Sequence, residues 1–348
     1  MSRPMRSPSD GFVRTHPEIA DALADGRPVV GLETAVLTHG LPRTGRASPA
    51  CLRSDGHVAG LLGGEVAWDE DAPLNLQAVG LVSRAVRHAN AVPAVIAMID
   101  GVLRIGLEDD EVAALALDET ARKASNRDFG ALSVAGASAG TTVAASMHAC
   151  RLAAPEPIRV FATGGIGGVH RGWTDRPDVS ADLRALASEP VVVVASGAKV
   201  ILDLPATLEM LDTLGVPVVG YRTDALPIFT VGVSEELEVP HRLDSASAIA
   251  DACRRHWGEF AQSSGMLVAN PCPAEEAIDP HRMDVLVDAG LARAAAQGID
   301  GSGVTPFLLG SMIADAEIDP VSANLALLVA NASLAAEIAT AWSADRSG

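Results

Sequence analysis

An α/β fold is the architecture that this sequence predicts, and three observations carry it. Apolar runs of strand length recur along the chain with helical stretches between them, among them Pro28–Leu32, Val92–Ile99, Arg159–Ala162, Val191–Ala195, Val216–Tyr221 and Met266–Asn270. The best of these runs are continuous rather than alternating, as strands covered on both faces require. Hydrophobic residues make up 48% of the chain and aromatic residues only 3%, so the core is built from Ala, Val, Leu and Ile, the side chains of helices packed tightly on a parallel sheet. With 348 residues and a mean hydropathy of +0.24, the chain can bury one large core or two closely packed ones.

Charge and cysteine usage narrow the function classes. The net charge is −18 and the pI about 4.8. No basic stretch exists to neutralise a phosphate backbone, so a nucleic-acid polymer is excluded as the expected partner. An anionic small molecule would need a local pocket of cations and backbone N–H groups. Cys51, Cys150, Cys253 and Cys272 are scattered, with neither zinc nor disulfide-scaffold spacing. They read as reduced thiols of a cytoplasmic protein. The first ten residues have no apolar run behind their arginines, so they are not a secretory signal. No uninterrupted apolar stretch reads as a membrane span.

The elements follow in order. Residues 1–15 read as a polar tail and Ile19–Leu23 as a short helix. Pro28–Leu32 is a buried strand, followed by Glu33 inside an otherwise apolar run. A carboxylate there needs a partner or a raised pKa; it is either a general acid or a satisfied structural Glu. Residues 43–72 have no sustained period and read as a long irregular loop. A helix over Leu76–Asn90 comes next, then a strand, a tight Asp100-Gly101 turn, a second short strand and a helix over 109–121. Lys123, Ser125 and Arg127 cluster after it, as a phosphate site or as a solvated charge patch.

Ala131–Ala135 reads as a strand, and the small hydroxylic run Gly136–Val143 as the approach to a helix start. Arg159–Ala162 runs into the glycine loop Thr163–Gly168, which ends in His170-Arg171. If Asp178, Ser180 and Asp182 lie on an extended segment, they point the same way and suit Mg²⁺ or Mn²⁺; Ser180 could instead cap a helix from Ala181. Val191–Gly197 leads to Lys199. Only Lys123 and Lys199 are lysines among 26 cationic residues. Arg keeps its proton near neutral pH, whereas a buried Lys can lose it and attack a carbonyl. Lys199 is therefore a candidate Schiff-base nucleophile, or simply a residue of a helix's first turn. A helix over Pro205–Leu214, a strand-like Ile228–Val233, and helices over 245–261, 280–297, 304–316 and 321–342 complete the chain. Asn324 and Asn331 share a face of the last helix and need partners, a ligand being one.

Together these segments resemble the pseudouridine-5′-phosphate glycosidase family, also called indigoidine synthase A-like. The matching segments are Leu32-Glu33-Thr34 with Thr38-His39-Gly40, then Lys123 to Asp128, Gly140 to Ala144, Thr163 to Arg171, Asp178 to Leu183, Ser196 to Asp203, Pro240-His241-Arg242 and Gly303 to Leu309. The resemblance implies an α/β/α sandwich with a mixed, largely parallel central sheet. One domain would span 16–342, with an irregular insertion at about 43–72 and a tail at 343–348. It implies an enzyme that reversibly cleaves the C–C glycosidic bond of pseudouridine 5′-phosphate to uracil and ribose 5-phosphate. By motif, Lys199 would be the nucleophile that forms an imine with ribose C1′, and Glu33 the proton donor. Asp178 would hold Mn²⁺ or another divalent cation such as Mg²⁺, largely through water. Lys123, Val143, Ser180, Ala181 and Asp182 would contact substrate, with Thr163, His170 and Asn324 as further pocket residues. Members are homotrimers, and no partner beyond the small-molecule substrate is implied, neither nucleic acid nor membrane.

The chemistry agrees with the residue types. A C–C glycosidic bond has no leaving heteroatom to protonate, and a protonated imine provides the electron sink that cleavage needs. Lys123 beside Lys199 would depress the nucleophile's pKa and bind phosphate. Three departures from the family pattern stand out. Residues 43–72 are an insertion close to the expected site, the usual Ser-Arg-Arg-Asp is here Ser125-Asn126-Arg127-Asp128, and the Leu226–Phe229 loop lacks its aromatic-rich form. A different Schiff-base lyase of sugar phosphates, or a catalytically impaired relative, fits the same residues.

Overall fold

A computed structural model of the protein describes residues 11–175, 177–299, 307 and 319–344. The expected helix over 304–316 and the segment Gly303 to Leu309 lie, apart from Phe307, outside the described residues. The strands, in chain order, are β1 (Val13–Thr15), β2 (Val29–Leu32), β3 (Val92–Ile99), β4 (Val102–Ile105), β5 (Arg122–Ala124), β6 (Ala139–Thr141), β7 (Val160–Ala162), β8 (Val192–Ala195), β9 (Val218–Tyr221), β10 (Ala225–Pro227), β11 (Val233–Glu238), β12 (His241–Leu243) and β13 (Met266–Ala269). The helices are α1 (Pro17–Ala24), α2 (His57–Leu61), α3 (Leu74–His88), α4 (Asp109–Leu117), α5 (Phe129–Ala135), α6 (Val143–Leu152), α7 (Ala181–Ser188), α8 (Leu204–Thr213), α9 (Ala246–Arg254), α10 (Pro280–Ala296) and a last helix, Pro320–Ala344.

The central sheet has the order β1-β4-β3-β2-β7-β8-β13-β9-β12, with β6 on β3 and β5 on β6. Pairing is parallel except for β3 with β4 and β3 with β6; β10 and β11 form a separate antiparallel ribbon. The sheet is thus mixed and mostly parallel, with helices on both faces, as expected. Every residue of β2, β7, β8 and β13 is buried. Their side chains sort by alternation. Val193, Ala195, Leu267 and Ala269 join the core shared with α6, α7 and α10. Val192, Val194, Met266 and Val268 join the core shared with α3, α9 and the last helix. Burial on both faces is why these strands read as unbroken apolar runs.

Several expectations need correcting. Part of the N-terminal tail, Val13–Thr15, is an edge strand on β4. Ala131–Ala135 is helical, not extended, within α5; the helix ends at Gly136, whose φ of +61° costs a glycine little. A five-residue apolar run fits either state, and the strand falls instead at Ala139–Thr141. Ile228–Val233 is mostly a 3₁₀ turn at Phe229–Val231, and the strand begins at Val233. The last helix is long and apolar enough to cross a membrane, contrary to the sequence reading, but 78% of its apolar window is buried within the protein. It packs on β2, β7, β8, α3 and α9.

The segment over 43–72 leaves and returns at one point. Leu74 N–H donates to Thr44 O (3.1 Å) and Asn75 N–H to Pro42 O (3.1 Å). The Asn75 amide donates to Leu37 O (2.8 Å) and Ala116 O (2.9 Å), which pins the base of the excursion. The excursion holds a 3₁₀ turn at Ala50–Leu52 and α2. It rests on the start of the last helix, where Cys51 N–H donates to Ser322 Oγ (2.7 Å). An excursion pinched in this way lengthens the chain without displacing the strands on either side.

Candidate active site

The carboxyl ends of the central parallel strands are where loops diverge and ligands can enter an open α/β sheet. Glu33 follows β2, Thr163 follows β7, and the turn Ser196–Lys199 follows β8. In that turn Gly197 adopts φ +69°, and a Cβ there would lie 1.9 Å from Pro227 O, so no side chain fits. The turn is tied to the glycine loop: Ser196 N–H donates to Gly164 O (2.9 Å) and Lys199 N–H to Ile166 O (3.2 Å). Lys199 is therefore held by backbone bonds to the neighbouring strand's exit, not on a helix's first turn; α8 begins at Leu204.

Glu33, Lys123, Asp182 and Lys199 share one electrostatic environment. Burial pushes the Glu33 carboxyl above the usual carboxylate range; Lys199 and the Thr163 hydroxyl, which donates to Glu33 Oε1, oppose the rise, Asp182 adds to it and Lys123 opposes it. Lys123 remains open to solvent, while protein packs around it closely enough to depress its pKa. Desolvation is the main cause, Lys199 adds to it, and Glu33 and Asp182 act against it. The charge of Lys199 thus bears on Lys123.

The remaining predicted residues fall into two groups. Val143 is buried as the first residue of α6, next to Thr142, whose Oγ1 is shielded from solvent with no hydrogen-bond partner among the described residues. An orphaned hydroxyl at a helix start suits a ligand oxygen. Thr163 belongs to the site through Glu33. By contrast, Ser180 is the N-cap of α7, its Oγ accepting from Asp182 N–H (3.2 Å), with Ala181 as the helix's first residue. Both oxygens of Asp182 are used internally: they accept from Ala144 N–H (3.0 Å) and Gly167 N–H (2.8 Å). The expected extended segment with Asp178, Ser180 and Asp182 converging on a cation is therefore corrected. Helix capping turns Asp182 inward, where it clamps the glycine loop to the start of α6.

Among the described residues, no three His, Cys, Asp or Glu side chains gather into a metal cage. Asp178 offers one carboxylate, 41% exposed, with His170 Nδ1 4.0 Å away. That donor set fits a hard cation that keeps most of its water, and does not fit a dehydrated site. Asn331, singled out with Asn324, has protein partners throughout. Its Nδ2 donates to Thr163 O (2.8 Å), and its Oδ1 accepts from Asn270 Nδ2 (2.9 Å). Asn324, half-buried, lies two turns earlier on the same face.

Sequence reasoning passed over other residues of the site. Thr34 and Thr141 both donate to Ile96 O (2.6 Å each), and Thr141 N–H donates to Thr34 Oγ1 (3.0 Å), which fixes the backbone beside Glu33. Phe229 is buried in the left-handed region, φ +49°, where its ring covers Gly164 and Gly165; a buried non-glycine residue there is strained. No sequence signal marks either feature. His39 and Arg43 also converge on Thr38, and His39 did appear in a matched segment.

Comparison with known proteins places this arrangement. The model of the family described as Indigoidine synthase A like protein matches residues 69–341. A protein named pseudouridine-5′-phosphate glycosidase from Dinoroseobacter shibae is 43% identical over 330 residues, covering 95% of this chain and 97% of its own. One of the same name from Escherichia coli is 40% identical over 332 residues, covering 95% and 96%. Among solved structures, a prealnumycin C-glycosynthase in complex with ribulose 5-phosphate is similar with a TM-score of 0.76 and 32% identity, covering 97% of this chain and 99% of its own. An indigoidine synthase A-like protein from Thermotoga maritima has a TM-score of 0.76 at 30% identity, covering 98% and 99%.

Proposed function

Because this chain belongs to the indigoidine synthase A-like family, we propose that it is a pseudouridine-5′-phosphate glycosidase, which cleaves a C–C glycosidic bond to release uracil and ribose 5-phosphate. Relatives of that name match over nearly the whole chain, and the similar C-glycosynthase was solved with a sugar phosphate. The observation that carries the chemistry is the meeting of Lys199, after β8, and Lys123, in β5, with a half-buried Glu33, after β2, whose carboxyl is held above the usual carboxylate range.

In the cleavage direction, Glu33 gives its proton to the ring oxygen as the C1′–O4′ bond opens, and the neutral Lys199 amine bonds to C1′. The ammonium so formed returns a proton to the Glu33 carboxylate, and the freed nitrogen lone pair then forms the protonated imine while the C–C bond pair leaves to C5 of uracil, which takes that proton from Glu33. Water hydrolyses the imine, freeing ribose 5-phosphate and Lys199. A raised pKa suits Glu33 to this task, since an ordinary carboxyl has lost its proton at neutral pH. Thr163 orients the Glu33 carboxyl. Asp182 holds the glycine loop and the start of α6, where Val143 and the Thr142 hydroxyl face the ligand in this reading. Ser180, Ala181, His170 and Asn324 line the remainder. Asp178 would hold Mn²⁺ or Mg²⁺ through water; when bound, the cation supplies positive charge to the anionic ligand. The reading includes a cytoplasmic homotrimer; four buried free cysteines support a reducing compartment, and light scattering checks the assembly.

Trapping tests the proposal. The protein is incubated with Mn²⁺ and ribose 5-phosphate, reduced with borohydride, and its peptides mapped by mass spectrometry. The adduct is expected on Lys199, and an unmodified Lys199 would overturn the imine. Formation of pseudouridine 5′-phosphate on adding uracil separates this enzyme from other Schiff-base lyases and from an impaired relative.

A further inference from the structure

Two nitrogen-bearing side chains of one loop meet at Thr38, and Lys123, from β5, lies beside them. Arg43 Nη2 donates to Thr38 O (2.9 Å). His39 Nδ1 lies 2.7 Å from Thr38 Oγ1. The Thr38 hydroxyl proton is already given to Thr34 O (3.1 Å), so Nδ1 carries the imidazole hydrogen and Nε2 of the neutral ring is an acceptor, left to take a hydrogen bond from the P–OH of a phosphate monoester monoanion. Lys123 pairs with Gly140 across β5 and β6, and Gly140 abuts Thr38: a Cβ built there would lie 2.2 Å from Thr38 Oγ1. Lys123 and Arg43 both act on His39, holding its pKa below the usual value after burial has lowered it.

Among the described residues, none of the three forms an ion pair. That is unusual in a chain of net charge −18. Asp118 lies within the field of Arg43, and Glu33 and Asp182 within that of Lys123, but the cluster keeps its excess positive charge. It adjoins the reacting groups, because Lys123 also feels Lys199. Arg43 stands at the mouth of the excursion over 43–72, between the two residues, Pro42 and Thr44, whose carbonyls tie its base.

We propose that Arg43 and His39 complete, with Lys123, a subsite for a phosphate monoester, the 5-phosphate of the sugar. This rests on the sugar-phosphate reading above. A guanidinium presents paired, charged N–H groups to phosphate oxygens. On this view the excursion is an added specificity element, because its first residue supplies a contact to the ligand.

The test compares ribose 5-phosphate with ribose in the borohydride assay, read as labelled Lys199, for the wild type, Arg43→Gln, Arg43→Lys and His39→Gln. Arg43→Gln is expected to cut the preference for ribose 5-phosphate over ribose about tenfold, the scale of one charge-assisted hydrogen bond, with Arg43→Lys in between. His39→Gln is expected to cut it less. Inorganic phosphate as a competitor should weaken in parallel. Loss of labelling by both sugars in equal proportion would mean that Arg43 only tethers Thr38, and would overturn the subsite; so would an unchanged preference. If wild-type Lys199 takes no label, the imine reading fails on its own. Calorimetry with inorganic phosphate then decides the subsite: binding lost in Arg43→Gln sustains it, and equal binding in both proteins overturns it.

Discussion

Two clusters of polar residues sit side by side at the carboxyl ends of β2, β7 and β8, and Thr163 belongs to both. Around Asn331, each polar group meets a neutral partner: Thr163 O, Ser196 Oγ and Asn270 Nδ2 are all within hydrogen-bonding distance. Around Glu33, the groups are charged and only partly matched, so burial moves the pKa values of Glu33 and Lys123. In sequence the two look alike, as single polar residues within apolar stretches. Their difference teaches that a satisfied buried network holds a fold together, whereas an incompletely matched one stores reactivity at a cost in stability.

That contrast can be broken by substitution. The largest effect is expected for Lys199→Arg, which keeps the charge and length but cannot lose a proton near neutral pH. Turnover should fall by at least about a thousandfold with the melting temperature little changed; steady-state assays with uracil and ribose 5-phosphate measure it.

Glu33→Gln should lower turnover about a hundredfold and also raise stability. The sign follows from the direction of the shift. The folded-state pKa lies above the ordinary value of 4.5, so the folded protein holds this proton more tightly than the unfolded chain. Stability is then lost as pH rises above 4.5 towards the folded pKa, and Gln removes that loss. The wild-type rate should fall as pH rises through the Glu33 pKa, and the variant should lack this limb. A variant that melts below the wild type at neutral pH would refute the distinction between the two clusters.

Asn331→Ala should do the opposite. It leaves Thr163 O and Asn270 Nδ2 without a partner in a buried place, at a cost of about 3 kcal/mol, read as a fall in the chemical-denaturation midpoint. Labelling of Lys199 by ribose 5-phosphate should persist in the folded fraction. Thr163→Val should have the smallest effect, since it keeps the backbone carbonyl that Asn331 uses and removes only the hydroxyl. Without that donor the Glu33 pKa rises further, and the alkaline limb of the rate profile should move to higher pH.

Much of the site was legible in the chain. Lys199 stood out because arginine supplies nearly every other cation, and Glu33 because a carboxylate interrupts an apolar run. The strands around them were legible because burial on both faces leaves few polar interruptions. Asp182 was legible as a site residue but not in its role. Nothing local says that α6 and the glycine loop will each bring an N–H group to it. Ala131–Ala135 failed for a related reason, since short apolar runs take the state that their neighbours impose. The nearness of Lys123 to His39 and Arg43 was invisible, because it depends on Gly140 letting β6, and β5 beside it, come up against Thr38.

By itself the sequence determined the α/β class, the family and the residues able to do imine chemistry, because these depend on composition, strand-length apolar runs and motifs read in order. Only the tertiary structure decided which polar groups are spent on each other and which face a ligand. Partnership is a property of distances between segments: Asn331 meets Thr163 and Asn270, and Asp182 meets Ala144 and Gly167, across the sheet rather than along the chain.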